Sequence, residues 1–227
     1  MIRIANIKFR PKAVPEDLKA YVEELTGFTN IVYFRIAKKS IDARKKENLN
    51  IQYVFDVILD GDENQAVAAC PHKDVTILNE PERCPEILWR PGKALRPVIV
   101  GTGPAGLMAG LALAQAGANP ILIERGKTVS KRRKDVNRFW KISELNENSN
   151  VQFGEGGAGT FSDGKLTTGI KKDCWTQKVL EEFVAAGAPE EIMYLGKPHI
   201  GTDKLSYMVG NLRRKILSLG GEYRFET

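Results

Sequence analysis

The sequence predicts an α/β protein in two parts, a small α+β unit followed by a larger unit built on a parallel sheet. Three observations predict it. Residues 98–124 set an apolar strand, a glycine-spaced turn, a helix-forming run and a second apolar strand end to end, the order of a strand–helix–strand unit. Residues 1–79 mix short β-branched runs with helical patterns and carry no comparable glycine spacing. Between the two parts, residues 80–97 hold Pro81, Pro85, Pro91 and Pro97 with Gly92, a density that neither a helix nor a central strand accepts. The predicted boundaries are therefore 1–79 for the first unit, 80–97 for a linker and 98–227 for the second unit.

In the first unit, Ile2 to Phe9 alternates apolar and polar residues like a half-buried strand. Pro15-Glu16-Asp17 opens a helix through Leu18, Tyr21, Val22 and Leu25, and Gly27 closes it. Ile31 to Ala37 and Ile51 to Leu59 read as two further strands. Gly61-Asp62 marks a turn, and Glu63 to Cys70 forms a short helix. The order strand–helix–strand–strand–helix is compatible with a ferredoxin-like α+β sandwich.

In the second unit, Val98-Ile99-Val100 runs into Gly101-Thr102-Gly103-Pro104-Ala105-Gly106, and Glu124 follows Gly101 by 23 residues at the end of Pro120-Ile121-Leu122-Ile123. Each glycine has a separate task in a dinucleotide fingerprint. Gly101 makes the sharp turn, Gly103 lets the backbone approach a pyrophosphate, and Gly106 lets helix and strand pack closely. Pro104 falls in the first helical turn, where its missing N–H costs little. Beside Ala105, the helix start offers unpaired N–H groups to phosphates. Glu124 is placed to accept hydrogen bonds from an adenosine ribose, and its charge disfavours a 2′-phosphate, although the adjacent Arg125 weakens that argument. The pattern predicts a Rossmann-like dinucleotide-binding domain. FAD and NAD share the ADP half, so the fingerprint alone does not separate them.

Further on, Thr176 to Ala186 and Asp203 to Leu219 are amphipathic helix patterns, the second closed by Gly220-Gly221 and read as a core face rather than a binding surface. Glu222 to Glu226 begins a strand. The net charge of +6 comes partly from two basic clusters, Lys38-Lys39 with Arg44-Lys45-Lys46, and Lys127 to Lys134, read as solvated faces. Hydrophobic residues make up 42% of the chain, enough for a core, and no run of about 18 apolar residues marks a membrane span. The N-terminus lacks the pattern of a secretory signal, and three cysteines without a CxxC pair predict a reducing, cytoplasmic setting with no disulfide framework and no metal site.

Residues 152–165 carry five glycines in fourteen positions, together with Phe153 and Phe161 as anchors and the polar Ser162, Asp163 and Lys165. Such a loop suits a backbone that passes close to a bulky flat cofactor. Together, Val98 to Leu107, Ile123-Glu124-Arg125-Gly126, Val151 to Leu166 and Lys197-Pro198-His199-Ile200-Gly201-Thr202 resemble a family of uncharacterised bacterial FAD-dependent dehydrogenases, often labelled NAD(FAD)-utilising. Ser40 to Lys46 resembles that family's first domain. The resemblance implies FAD at the fingerprint, with NAD(P)H as a candidate electron donor and a small-molecule substrate. It implies pyrophosphate contacts from Gly101, Gly103 and Gly106, ribose contacts from Glu124, an arginine reaching back to the cofactor at Arg132, and a flavin near Gly156, Gly157, Gly159, Thr160 and Ser162. Lys165 and His199 are its candidate groups for tuning the ring and moving protons. Members of that family are longer and add a cap domain and a late Gly-Asp strand. The chain is therefore expected to be the N-terminal part of such a protein, with an apolar sheet edge left open. Two other readings compete: an NAD-linked dehydrogenase, and an RNA-binding module using the basic first unit, which lacks the paired aromatic residues of an RNA-binding sheet.

Overall fold

A computed structural model describes residues 1–44, 49–79, 84–89, 95–167 and 173–227. Lys45, Lys46 and much of the proline-rich stretch, including Pro81, Pro91 and Gly92, lie outside those residues. Two units are distinct: residues 1–83 with 193–198, and residues 84–192 with 199–227. The assignment of Met193–Pro198 to the first unit rests on a short pairing, Lys39 N to Tyr194 O at 2.7 Å and Gly196 N to Lys39 O at 2.9 Å, which sequence patterning had no means of showing.

In the first unit, strands β1 (Ile2–Phe9), β2 (Ile31–Asp42), β3 (Asn50–Leu59) and β4 (Val75–Ile77) form one antiparallel sheet in the order β2-β3-β1-β4, with helices α1 (Leu18–Thr26) and α2 (Glu63–Ala69) between them in sequence. Strand β4 was not predicted, because three residues are too few to show a period. In β1 the apolar residues change parity, from Ile2 and Ile4 to Ile7 and Phe9. An irregularity between Ile4 and Ile7, with Asn6 at φ 57°, returns all four to the buried side. Asp17 caps α1 by accepting from Ala20 N, and Gly27 ends it at φ 71°.

On that sheet, Asp56 is fully buried between Arg3 and Arg35, which reach it from the two flanking strands at 2.8 Å each. Burial raises the Asp56 pKa, but the hydrogen bonds from both arginines outweigh it and hold the carboxyl below its ordinary value. This stabilisation is present above the unfolded carboxyl pKa and is lost as the pH falls through the folded one. Asp56→Ala would leave two half-exposed arginines facing each other, and it is expected to cost roughly 2–3 kcal/mol in chemical denaturation.

In the second unit, β5 (Val98–Val100), β6 (Ile121–Glu124) and β7 (Glu222–Phe225) pair in parallel in that order. Helix α3 (Pro104–Gln115) links β5 to β6. Helices α4 (Val129–Ile142), α5 (Cys174–Ala185) and α6 (Thr202–Ser218) lie between β6 and β7 in sequence. The core joins Leu107 and Leu111 of α3, Leu122 of β6 and Leu205, Met208, Val209, Leu212 and Ile216 of α6. The expected face of α6 is thus buried, except Leu219, which lies past the helix end and is 38% exposed. Strand β5 is at the sheet edge, with Val98 and Val100 exposed.

Two features of this unit depart from the sequence reading. Helix α4 occupies the basic run whose composition predicts a solvated face. Lys131, Arg133 and Lys134 are exposed, but Val129, Arg132 and Val136 form a buried stripe. Cys84 and Cys174 are joined as a disulfide, where none was expected; a separation of 90 residues leaves no local spacing to betray the pair. Among the described residues, no helix is long and apolar enough to cross a membrane.

Candidate functional site

The site begins where β5 ends. Gly101 takes φ 91°, a left-handed conformation that side chains resist, while its N–H still donates to Ile123 O at 2.7 Å. The chain then turns into α3, with Gly103 at the cap position, Pro104 in the first turn and no side chain capping the helix. A Cβ on Gly103 would meet nothing within 4 Å, so the backbone there faces open space. A Cβ on Gly106 would lie 2.0 Å from the Gly101 carbonyl oxygen. Backbone against backbone has no room to yield, so close helix–strand packing requires glycine here. Ala105 lies exposed in the first turn of α3.

Glu124, at the end of β6, is 5% exposed. Its Oε2 accepts from Thr102 N at 2.8 Å and Thr102 Oγ1 at 2.7 Å, and its Oε1 accepts from Gly126 N at 2.8 Å. Burial raises its pKa, but these hydrogen bonds prevail and keep it below the usual glutamate value. The carboxylate ties the turn after β5 to the end of β6, and one lone pair on Oε1 is left for a further donor. Thr102 was not singled out from sequence, although a hydroxyl inside the fingerprint is a visible signal.

The second glycine loop meets the first. Gly156 N donates to Thr102 O at 2.8 Å, and a Cβ on Gly157 would come 3.2 Å from Gly103 Cα. Arg132 holds this loop from behind. Fully buried, it donates to the carbonyls of Asn150, Val151, Gly154, Glu155 and Gly157 at 2.7–3.3 Å. Desolvation lowers its pKa to about 10, against the opposing pull of Glu124 and Glu155. Its guanidinium is therefore spent on the loop's own backbone. Glu155, also fully buried, is the loop's inward anchor: it accepts from Val129 N at 2.6 Å and Arg213 Nη1 at 2.8 Å, and burial raises its pKa. Neither Glu155 nor Arg213 was found by sequence, since a glutamate among glycines shows no period.

Phe153 lies beneath the Arg125 guanidinium at 4.2 Å, and Phe161 packs edge-on against Trp140 and under Arg132. Both rings are engaged, as their anchoring role requires. Gly101, Thr102, Gly103, Glu124, Arg125 and Phe153 line an open cavity of 270 Å³, with Gly157 at its edge. Gly156, Gly159, Thr160, Ser162 and Lys165 instead line a second cavity. Lys165 is exposed and paired with Asp163 at 2.9 Å, and a backbone bridge sets it opposite His199. Those two candidates are thus neighbours.

The first cavity joins a glycine turn, an uncapped helix start and an ionised acceptor, the set that holds the ADP half of a dinucleotide. Residues 95–136 match the family described as FAD binding domain. The match covers β5, α3, β6 and the first half of α4, so it contains both the glycine turn and Glu124, and it supports FAD as the cofactor. Residues 1–58 match a domain of unknown function, DUF8436. An uncharacterised protein of Clostridium beijerinckii is 43% identical over 233 residues, an alignment that takes in the whole of this chain and 42% of that protein. The chain therefore spans less than half the length of this relative.

Proposed function

We propose that the second unit holds FAD, with the ADP half in the cavity between Gly101 and Glu124, and that it serves a flavin-dependent dehydrogenase acting on a small-molecule substrate. The observation that carries this reading is the coincidence of the FAD binding domain match with the built cavity. The strand order β5-β6-β7, with α3 between the first two, supports a Rossmann-type half domain. In the first unit, the order β2-β3-β1-β4 with two helices supports a ferredoxin-like arrangement. In this reading the open backbone at Gly103 and the start of α3 receive the pyrophosphate, Glu124 accepts from the ribose, and Arg125 on Phe153 borders the adenosine. The cofactor, when bound, supplies hydride and electron transfer. The chain's own part is to position it: Arg132 and Glu155 keep the second glycine loop against the first, where Gly154 and Gly157 line the cavity.

The test is competitive binding. Purified chain is titrated with FAD, NAD⁺ and NADP⁺, with ADP as competitor. FAD is expected to bind and to be displaced by ADP, and NADP⁺ to bind weakest because Glu124 repels a 2′-phosphate. Preference for NAD⁺ over FAD would overturn the reading in favour of an NAD-linked enzyme. Glu124→Gln puts an N–H₂ where an oxygen now accepts from the backbone, and it is expected to weaken FAD binding about tenfold. Because the Glu124 pKa is depressed, FAD affinity should stay level from neutral pH down to the ordinary glutamate range, about 4.3, and fall only below it.

A further inference from the structure

Helix α5 is fastened differently at its two ends. Its C-terminal half is held by packing and by polar contacts. Leu180, Phe183 and Val184 lie against the core of the second unit. Glu182 accepts from Gln115 Nε2 of α3 at 2.7 Å and from Lys215 Nζ of α6 at 2.5 Å, and Asn211 Nδ2 of α6 donates to Ala186 O at 2.7 Å. The N-terminal half gives no side chain to that core among the described residues, and no residue of the helix is buried. Trp175, beside the first helical residue, is 41% exposed. The tie at this end is covalent. Cys174, the first residue of α5, is joined to Cys84, 90 residues earlier in the chain, and both cysteines are partly exposed. The third cysteine, Cys70, is a free thiol packed against the core of the first unit.

We propose that the Cys84–Cys174 bond is a reversible redox latch on α5, opened by a thiol reductant of the glutathione class. A disulfide exchanges readily when the departing sulfur is a stable thiolate and the attacked sulfur can be reached. Cys174 meets the first condition: a thiolate in the first turn of a helix lies beside backbone N–H groups and at the positive end of the helix dipole. The Asp173 carboxylate opposes it, but that carboxylate is turned onto Thr176, accepting from its N at 2.8 Å and its Oγ1 at 2.9 Å. Partial exposure of both cysteines meets the second condition. A glutathione thiolate attacks Cys84 Sγ and forms a mixed disulfide as Cys174 Sγ leaves with the electron pair. A second glutathione thiolate attacks the glutathione sulfur, and Cys84 Sγ leaves in turn. Two glutathione thiols are oxidised to one disulfide, and the two cysteines take up two electrons and two protons. With the bond open, the first turns of α5 lose their covalent tie. That end frays while residues 180–186 stay docked. The inference does not rest on cofactor binding by the second unit.

The experiment follows the folded, full chain through reduction and reoxidation. The folded chain is first exposed to the glutathione buffer, then denatured and alkylated to count thiols. The count should be one, Cys70, before reduction, three after millimolar reduced glutathione, and one again after oxidised glutathione. Amide hydrogen exchange should rise about tenfold over residues 174–179 in the reduced form, with residues 181–186 and strands β1 and β3 unchanged. Cys174→Ser and Cys84→Ser should each reproduce the reduced form and remove the response to glutathione, so the test survives if one of them fails to fold. Three thiols before any reductant would overturn the proposal. So would a bond that yields to glutathione only in denaturant, which is the behaviour of a purely structural cross-link. Identical exchange over residues 174–179 in the two forms would overturn it as well.

Discussion

Gly106→Ala is expected to abolish detectable FAD binding and to destabilise the second unit by about 3 kcal/mol. The added methyl would sit 2.0 Å from the Gly101 carbonyl oxygen, and both partners are main chain. Relief requires α3 to move away from β5, which widens the turn and shifts the helix start away from the pyrophosphate position. Gly103→Ala is the informative contrast. Its Cβ meets no protein atom within 4 Å, so the fold should survive while the methyl stands in the space the phosphates need. Thermal melts together with FAD titration separate the two effects. At about 2–4 °C per kcal/mol for a chain of this size, Gly106→Ala lowers the melting temperature visibly and Gly103→Ala does not.

Arg132→Lys is expected to cost about 4 kcal/mol, although the charge is kept. Five carbonyl oxygens converge on one guanidinium. An ammonium has three donors and no planar fork, so at least two buried carbonyls lose their partner at about 1–3 kcal/mol each. The loop from Asn150 to Gly157 then loosens, and with it the Gly156–Thr102 hydrogen bond that joins the two glycine loops. FAD affinity should fall by about tenfold for each 1.4 kcal/mol of loop order lost. Amide hydrogen exchange over residues 150–157 is the direct reading: protection drops locally in Arg132→Lys, while β1 and β3 of the first unit are unaffected. Unchanged exchange in that segment would show that the carbonyl cluster does not hold the loop.

The strand–turn–helix–strand unit at Val98–Glu124 was readable because glycines mark backbone demands that no other residue meets, and their spacing is local. The buried face of α6 was readable for a similar reason, since its period shows within a single run. Helix α4 was hidden by Lys131-Arg132-Arg133-Lys134, which reads as uniformly solvated. Of its apolar residues Val129, Val136, Phe139, Trp140 and Ile142, only the two valines are buried, and the third member of the buried stripe is itself an arginine. Its role is set by carbonyls 18 to 25 residues away in sequence, a relation that no periodicity encodes. Expected to reach the cofactor, Arg132 instead spends its donors on the loop. The Glu155 anchor and the Cys84–Cys174 link depend in the same way on distant partners.

The central claim is that the cavity between Gly101 and Glu124 receives the ADP half of FAD. Amide chemical shifts of ¹⁵N-labelled chain, followed through a titration with FAD, test it most directly. The account predicts saturable shifts at Gly101, Thr102, Gly103, Glu124, Arg125 and Gly157, reproduced at most of these positions by ADP alone. Saturable binding that leaves those amides unmoved, or no binding by a cooperatively folded chain, would contradict it.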